Sequence, residues 1–309
     1  MAINIKKNEQ IRIRCFILFF LLFLSTISEA QNCRKHKFVE GMCTRCGTLG
    51  PIKKIVAEIS SSKELVRFAE LVNSCPQGYY LKKADKDGVT MVYYVYVDAI
   101  LTNDIVLNNQ VLDKDGNLIE NYENLYEWKT IGYDADLDGD GRKEKIRMCG
   151  TFNGNGHTIS GVYINQPYKF NQGFIYATNG DYEDTYGITE VLNLGIVDSY
   201  INGDHCVGAI AGYAYKSHFK NCFAIAKVVG DRIGTVCGES HETIFTNCFY
   251  HYGFDIEATQ VSKSQILSGE LTYKLNGNQS NIIWGQNIGI DKYPKSYNGK
   301  NKVKIIYSN

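Results

Sequence analysis

The chain has 309 residues, with 33 basic and 33 acidic side chains, so its formal net charge is zero. A balanced charge sets up no broad basic field, and nucleic acid is not an expected partner. Four prolines, 29 glycines and 22 tyrosines point to β-structure with many tight turns.

Lys6, Lys7, Arg12 and Arg14 precede a ten-residue apolar run at 15–24, and Ser28-Glu29-Ala30 places small residues at −3 and −1. This pattern predicts a secretory signal peptide over 1–30, cleaved near Ala30 and too short for a permanent anchor. Asn32 stands where a lipobox needs a small residue, so Cys33 is not read as lipidated. No second long apolar run follows, and no transmembrane segment is expected in the mature chain.

Residues 31–50 hold Cys33, His36, Cys43 and Cys46 as two pairs, each spaced by two intervening residues. Two such pairs can turn four ligands onto one Zn²⁺ in tetrahedral geometry, so the spacing predicts a zinc-knuckle-like module with a structural ion. Disulfides or free thiols are the competing reading in a secreted chain.

Ser61, followed by Glu64, resembles a capping box, and Leu65, Phe68, Ala69, Leu71 and Val72 recur at helical spacing. A helix is predicted over about 62–74, then strands at 92–97, 99–101 and 104–107. Residues 108–127 read as a polar excursion. From Trp128 onward the pattern is short strand, turn, short strand.

Asp136, Asp138, Asp140 and Glu144 alternate through an Asp/Gly-rich stretch that begins at Asp134. Crowded carboxylates repel one another without a cation, and glycines permit a tight loop, so a nine-residue calcium loop over 136–144 is expected. A full EF-hand would need Glu at 145 or 147, where Lys145 and Arg147 stand. A solvated acidic turn is the competing reading.

Two late segments repeat at an offset of 26 residues. Val207-Gly208-Ala209-Ile210-Ala211-Gly212 is answered by Ile233-Gly234-Thr235-Val236-Cys237-Gly238, and Phe219-Lys220-Asn221-Cys222-Phe223 by Phe245-Thr246-Asn247-Cys248-Phe249. Short β-prone runs at such a period predict a solenoid whose inward faces are buried only by stacking. Gly173-Phe174-Ile175 with Asn193-Leu194-Gly195-Ile196 fits as an earlier, degenerate copy, lengthened near 179–184. Cys222 and Cys248 occupy equivalent positions and read as a buried ladder of free thiols, with a disulfide between neighbouring strands as the competing reading. Glycines are assigned to corners that need positive φ or close approach.

The fold class that follows is mostly β, a right-handed parallel β-helix with an N-terminal capping helix and the small zinc-knuckle-like module. Its parts are the signal peptide at 1–30, the Cys/His module at 31–50, the β-helix with its cap at 51–255 and a C-terminal capping segment at 256–309.

The stretch Thr151-Phe152-Asn153-Gly154-Asn155-Gly156-His157-Thr158-Ile159, with the later Gly-x-x-x-Gly turns and Asn-Cys strands, resembles the bacterial GLUG-repeat β-solenoid proteins. The similarity covers roughly 57–294. It implies secretion and surface display, and no single activity. The expected function is therefore a secreted or cell-surface binding or adhesion protein, with host protein or glycan as partner. A carbohydrate-active β-helix enzyme and an accessory repeat region of a larger surface system are the alternatives.

Asp181, Glu183 and Asp184 form the acidic group an enzyme would use, since glycoside hydrolysis needs two carboxylates at a set separation. His157 reads as a buried, hydrogen-bonded histidine. Tyr163, Tyr168, Tyr176, Tyr182, Tyr186 and Tyr200 are candidates for a sugar-stacking strip, though tyrosine is also favoured in strands for structural reasons.

Overall fold

The computed structural model describes residues 37–39, 42–43, 55–75, 79–84, 90–136, 143–179, 188–278 and 280–297. The chain divides into two units, Met1–Ile52 and Lys53–Asn309. In the first, β1 (Phe38–Val39) and β2 (Met42–Cys43) pair antiparallel. The predicted signal peptide lies outside the described residues. Among those that are described, no helix is long and apolar enough to cross a membrane.

The second unit is mostly β, with parallel sheets, one of them strongly curled. It opens with β3 (Ile55–Ile59) and α1 (Ser62–Asn73). Ser61 caps α1 by accepting the Glu64 N–H at 3.4 Å, and the Glu64 carboxylate reaches back to the Ser60 N–H and hydroxyl at 2.8 and 2.7 Å. The reciprocal half of the capping box therefore falls one residue earlier than the Ser61/Glu64 spacing predicts. Leu65, Phe68, Ala69 and Val72 face the core, while Leu71 is exposed. Five apolar positions made the stripe look wider than the face that packs.

After β4 (Tyr80–Ala84), the long β5 (Met91–Leu101) pairs in parallel with β8 (Glu144–Asn153), from Val92 opposite Lys145 to Ile100 opposite Asn153. Between them come β6 (Ile105–Val106), an excursion over 107–130 and β7 (Tyr133–Ala135). The excursion is less polar than its composition suggests, because Val111 and Leu112 are buried against Tyr163.

The rest of the chain passes repeatedly over itself. β9 (Thr158–Ser160), β10 (Tyr163–Asn165), β11 (Ile175–Asn179), β12 (Thr189–Leu192) and β13 (Gly195–Asn202) lead into β14 (Ala211–Tyr215), β15 (Ser217–Lys220) and β16 (Phe223–Val229). β17 (Cys237–His241), β18 (Ile244–Thr246) and β19 (Phe249–Tyr250) follow. Ala211 lies opposite Cys237, Phe219 opposite Phe245 and Phe223 opposite Phe249, all in parallel register. The 26-residue offset is thus one step between neighbouring strands, about 4.8 Å.

Like residues stack along the step. Phe219 and Phe245 lie 5.0 Å apart and nearly coplanar. Asn193 donates to Asn153, Asn221 to Asn193 and Asn247 to Asn221, at 3.2, 3.1 and 3.0 Å. Cys222 and Cys248 are buried free thiols whose Sγ atoms donate to strand carbonyls. Positive φ falls on this asparagine row, at 51°, 55° and 51° for Asn193, Asn221 and Asn247. Asparagine tolerates the left-handed region better than other side chains. The repeat glycines serve the other purpose: a Cβ on Gly208 or Gly238 would strike the backbone of the adjacent pass.

β20 (Thr259–Gln260) pairs with β19, and the chain then turns back through α2 (Lys263–Leu267) and α3 (Glu270–Asn276) to β21 (Trp284–Gly285) and β22 (Lys295–Ser296). Leu271, Leu275 and Trp284 pack on Val197, Phe223, Ile225 and Phe249, the outward residues of three successive passes. Trp284 also donates to the Asn221 carbonyl at 3.2 Å. The segment reaches as far back as Asn155, whose carbonyl accepts from Ser296 at 3.1 Å.

Candidate binding groove

One large groove of about 1620 Å³ opens on the second unit. Cavities for small ligands run to roughly 1,000 Å³, so this one suits a longer chain. Its lining comes from the last turns of α1, the segment 126–130, the loop 166–172 and outward residues of β5, β8, β11 and β14.

Alternation sets which side chains reach it. Tyr93, Val95 and Val97 of β5 join the core, which sends Val92 and Tyr94 outward; Ile146 and Met148 of β8 likewise leave Lys145 and Arg147 outward. Tyr94 lies opposite Arg147, and on the next pairs Ala177 lies opposite Tyr213 and Asn179 opposite Tyr215.

Arg147 is buried at the centre of this surface. Its Nη1 donates to Asp134 Oδ1 at 2.9 Å and to the Ile146 carbonyl at 3.1 Å, and the guanidinium sits 5.0 Å from the centroid of the Tyr176 ring. A charge in that setting needs both partners, and the ring face adds a cation–π attraction. Burial, followed by the Asp134 charge, pushes the Tyr176 phenol well above its ordinary range, so the hydroxyl stays a neutral donor. Trp128 stacks on Phe174 at 5.3 Å and donates to the Phe174 carbonyl, fixing the 126–130 segment. Asn73 ties α1 to the same segment by donating to the Thr130 carbonyl and accepting from the Gly132 N–H.

No family model, curated protein or solved structure matches the chain.

The six tyrosines read as one strip separate. Tyr168 and Tyr176 line the groove, whereas Tyr163 and Tyr200 stack on each other 6.2 Å apart beside Val111 and Leu112. Tyr182 and Tyr186 lie outside the described residues, as do Asp181, Glu183 and Asp184. The strip fails as a unit because Tyr163 and Tyr200 stand on β10 and β13, in the other parallel sheet. Tyr94, Tyr126, Trp128, Tyr133, Phe170, Tyr213 and Tyr215 are the aromatic lining residues that sequence reasoning missed. Period-two alternation could have marked the outward Tyr94, but nothing in the sequence says which outward faces meet.

Of the zinc candidates, Cys43 ends β2, and Cys33, His36 and Cys46 lie outside the described residues. Of the calcium candidates, Asp138 and Asp140 lie outside them. Asp136 is exposed and Glu144 is buried. β7 and β8 form an antiparallel hairpin closed by Ala135 opposite Glu144, which draws the two ends of the acidic stretch together. Among the described residues, no three Asp, Glu, His or Cys side chains converge as a metal site.

His157 is part-buried, with Nδ1 3.3 Å from Asp104 Oδ1. Burial works to raise the Asp104 carboxyl, but the His157 ring and the Thr158 N–H outweigh it and hold the group low. This is an anchoring pair at the head of β9.

Cys206, also in the groove lining, donates its Sγ–H to Glu239 Oε2 at 2.9 Å; Arg232 and His241 contact the same carboxylate at 3.2 and 3.0 Å. Burial, then Glu239, pushes the thiol up to about 12. The hydrogen bonds from Cys206 and then His241 hold Glu239 near 2. A nucleophilic cysteine needs the opposite arrangement, with a base beside the sulfur and a lowered pKa. Cys206 is a structural donor.

Proposed function

We propose that the chain is a secreted or surface-displayed right-handed parallel β-helix of the GLUG-repeat type, and that it binds a host protein or glycan without turning it over. The parallel 26-residue register and the stacked Asn, Phe and Cys rows support the solenoid reading. The groove carries the functional one. It is large, and its aromatic and amide lining suits contact with a partner bigger than a small ligand. Three described carboxylates line it, Glu70, Glu127 and Asp134: Asp134 serves Arg147, and Glu127 Oε1 accepts from the Asn165 N–H and the Gln166 amide. Held by Arg147, Asp134 is not free to serve as one of the two carboxylates that hydrolysis requires.

The Cys33/His36/Cys43/Cys46 module is proposed to hold a structural zinc. The hairpin loop from Asp136 to Glu144 is proposed to hold calcium, because closure at Ala135 and Glu144 brings the first and last candidate ligands to one end of the hairpin.

Screening the purified protein against glycan and host-protein arrays, with product analysis of every glycan bound, tests the function. Binding without cleavage, lost in Tyr168→Ala, is expected. Release of shortened products would overturn the non-enzymatic reading.

A further inference from the structure

We infer that the groove takes an anionic glycan, a sugar chain carrying carboxylate or sulfate groups. This rests on the binding function proposed above and adds the chemical class of the ligand.

Charge is the first argument. Lys129, Lys143 and Lys169 line the groove, are exposed, and make no ion pair among the described residues. Against them stand three lining carboxylates: Asp134 is paired with Arg147, while Glu70 and Glu127 keep their charge and face four lysines, Lys145 being the fourth. The lining therefore sets five cations, with Arg147 among them, against three carboxylates, a local positive excess in a protein whose formal net charge is zero. A local set of lysines acts over a Debye length of about 8 Å, which suits contact with acid groups and not long-range capture.

Shape is the second. Tyr168 is 90% exposed and Phe170 54% exposed, the latter's ring 5.3 Å from His205. Bare aromatic faces on a lip are costly unless something flat covers them, and the C–H face of a sugar ring is flat and apolar while its rim bonds to amides. The Gln166 amide donates to Glu127 Oε1 and the buried Gln172 amide to the Phe170 carbonyl, both at 2.7 Å, and these bonds hold the 166–172 loop that presents the rings.

Spacing is the third. Side chains on the strands under the groove repeat every ~4.8 Å across the sheet, close to the length of one sugar residue, whereas an extended peptide repeats its side-chain direction every ~6.6 Å. A sugar chain running across the strands keeps step with them.

The test is calorimetric titration of the whole protein with oligogalacturonides, with dextran sulfate and with neutral dextran, at about 50 and about 500 mM salt. Binding to one or both anionic probes is expected, the probe that binds identifying carboxylate or sulfate as the acid group. The triple variant Lys129→Gln/Lys143→Gln/Lys169→Gln should weaken it by ~10-fold or more, as should the higher salt. The substituted residues are exposed, and circular dichroism confirms that the variant folds. Equal affinity for neutral dextran, an unaffected triple variant, or stronger binding of a single-stranded polynucleotide would overturn the inference. Neutral glycan or protein bound through Tyr168 would leave the binding function standing, whereas cleavage of the probes, or no ligand at all for the groove, would sink both.

Discussion

The Tyr293 hydroxyl donates to Asp198 Oδ1 at 2.7 Å, joining the C-terminal segment to a β-bulge 95 residues earlier. Asp198 is the extra residue of that bulge, at a φ of 48°, and Lys292 reaches the same oxygen at 2.8 Å. Bulges re-aim side chains, and here an unpaired strand residue has become an anchor. Burial, then the Asp198 contact, pushes the Tyr293 phenol far above its usual range. Removing the hydroxyl with Tyr293→Phe should destabilise the fold by about 1–2 kcal/mol, since the lost bond is to a charged acceptor. Denaturant unfolding at constant m-value measures it.

The asparagine row makes a second prediction. Asn221 is buried, holds a left-handed φ and exchanges side-chain hydrogen bonds with Asn193 and Asn247. Asn221→Ala should cost about 2–4 kcal/mol through lost bonds and a forced φ. Asn221→Gly should cost ~1 kcal/mol less, because glycine takes that φ freely. Equal losses in the two variants would show that backbone strain plays no part.

pH dependence separates two limbs. Glu239 is held near 2 by Cys206, His241 and Arg232, below its ordinary 4.5. Its contribution to stability is present above pH 4.5 and is lost as pH falls toward 2. Cys75 and Cys206 lie near 12, above the ordinary 9 of an unfolded thiol. The unfolded chain therefore releases their protons first, and stability falls as pH rises from 9 toward 12. Thermal melts across both ranges should show the two declines, and Glu239→Gln should flatten the acid one.

Thiol chemistry follows from the same burial. Cys149, Cys206, Cys222, Cys237 and Cys248 are buried, and Cys75 is half-buried with its pKa raised. At pH 8 an aromatic disulfide reagent should label these six slowly in the native protein and fast in denaturant. Rapid native labelling of Cys222 or Cys248 would contradict the buried ladder.

Calcium supplies a fifth test. If the hairpin loop binds it, adding millimolar calcium to chelator-treated protein should raise the melting temperature, and Glu144→Gln should abolish the shift. An unchanged melting curve would remove calcium from the account.

The repeat was readable because stacking imposes it. Equivalent positions of adjacent passes meet the same neighbours, so Phe219 and Phe245, or Asn221 and Asn247, are selected alike. Helix α1 was readable from its cap and its apolar stripe. The groove was not, because its parts obey no common offset. Ile175 meets Ala211, but Thr189 meets Ser217, so earlier passes differ in length from the last and scatter the lining residues through the sequence. Lys129 and Tyr126 arrive on an excursion outside the repeat altogether. The Cys206–Glu239 contact was hidden for a related reason: it joins two passes at positions that differ in register.

The path of the C-terminal segment changes how the molecule should come apart. A stack held only by neighbour contacts frays from its last turn, each layer leaving without disturbing the one before. Here Trp284 and Leu271 grip outward residues of three layers at once, and Ser296 fastens to a fourth region at Asn155. The late layers must leave together or stay together. The protein should resist unzipping from that end until the strap itself detaches, and a mechanical pull on the C-terminus would load the oldest layers first.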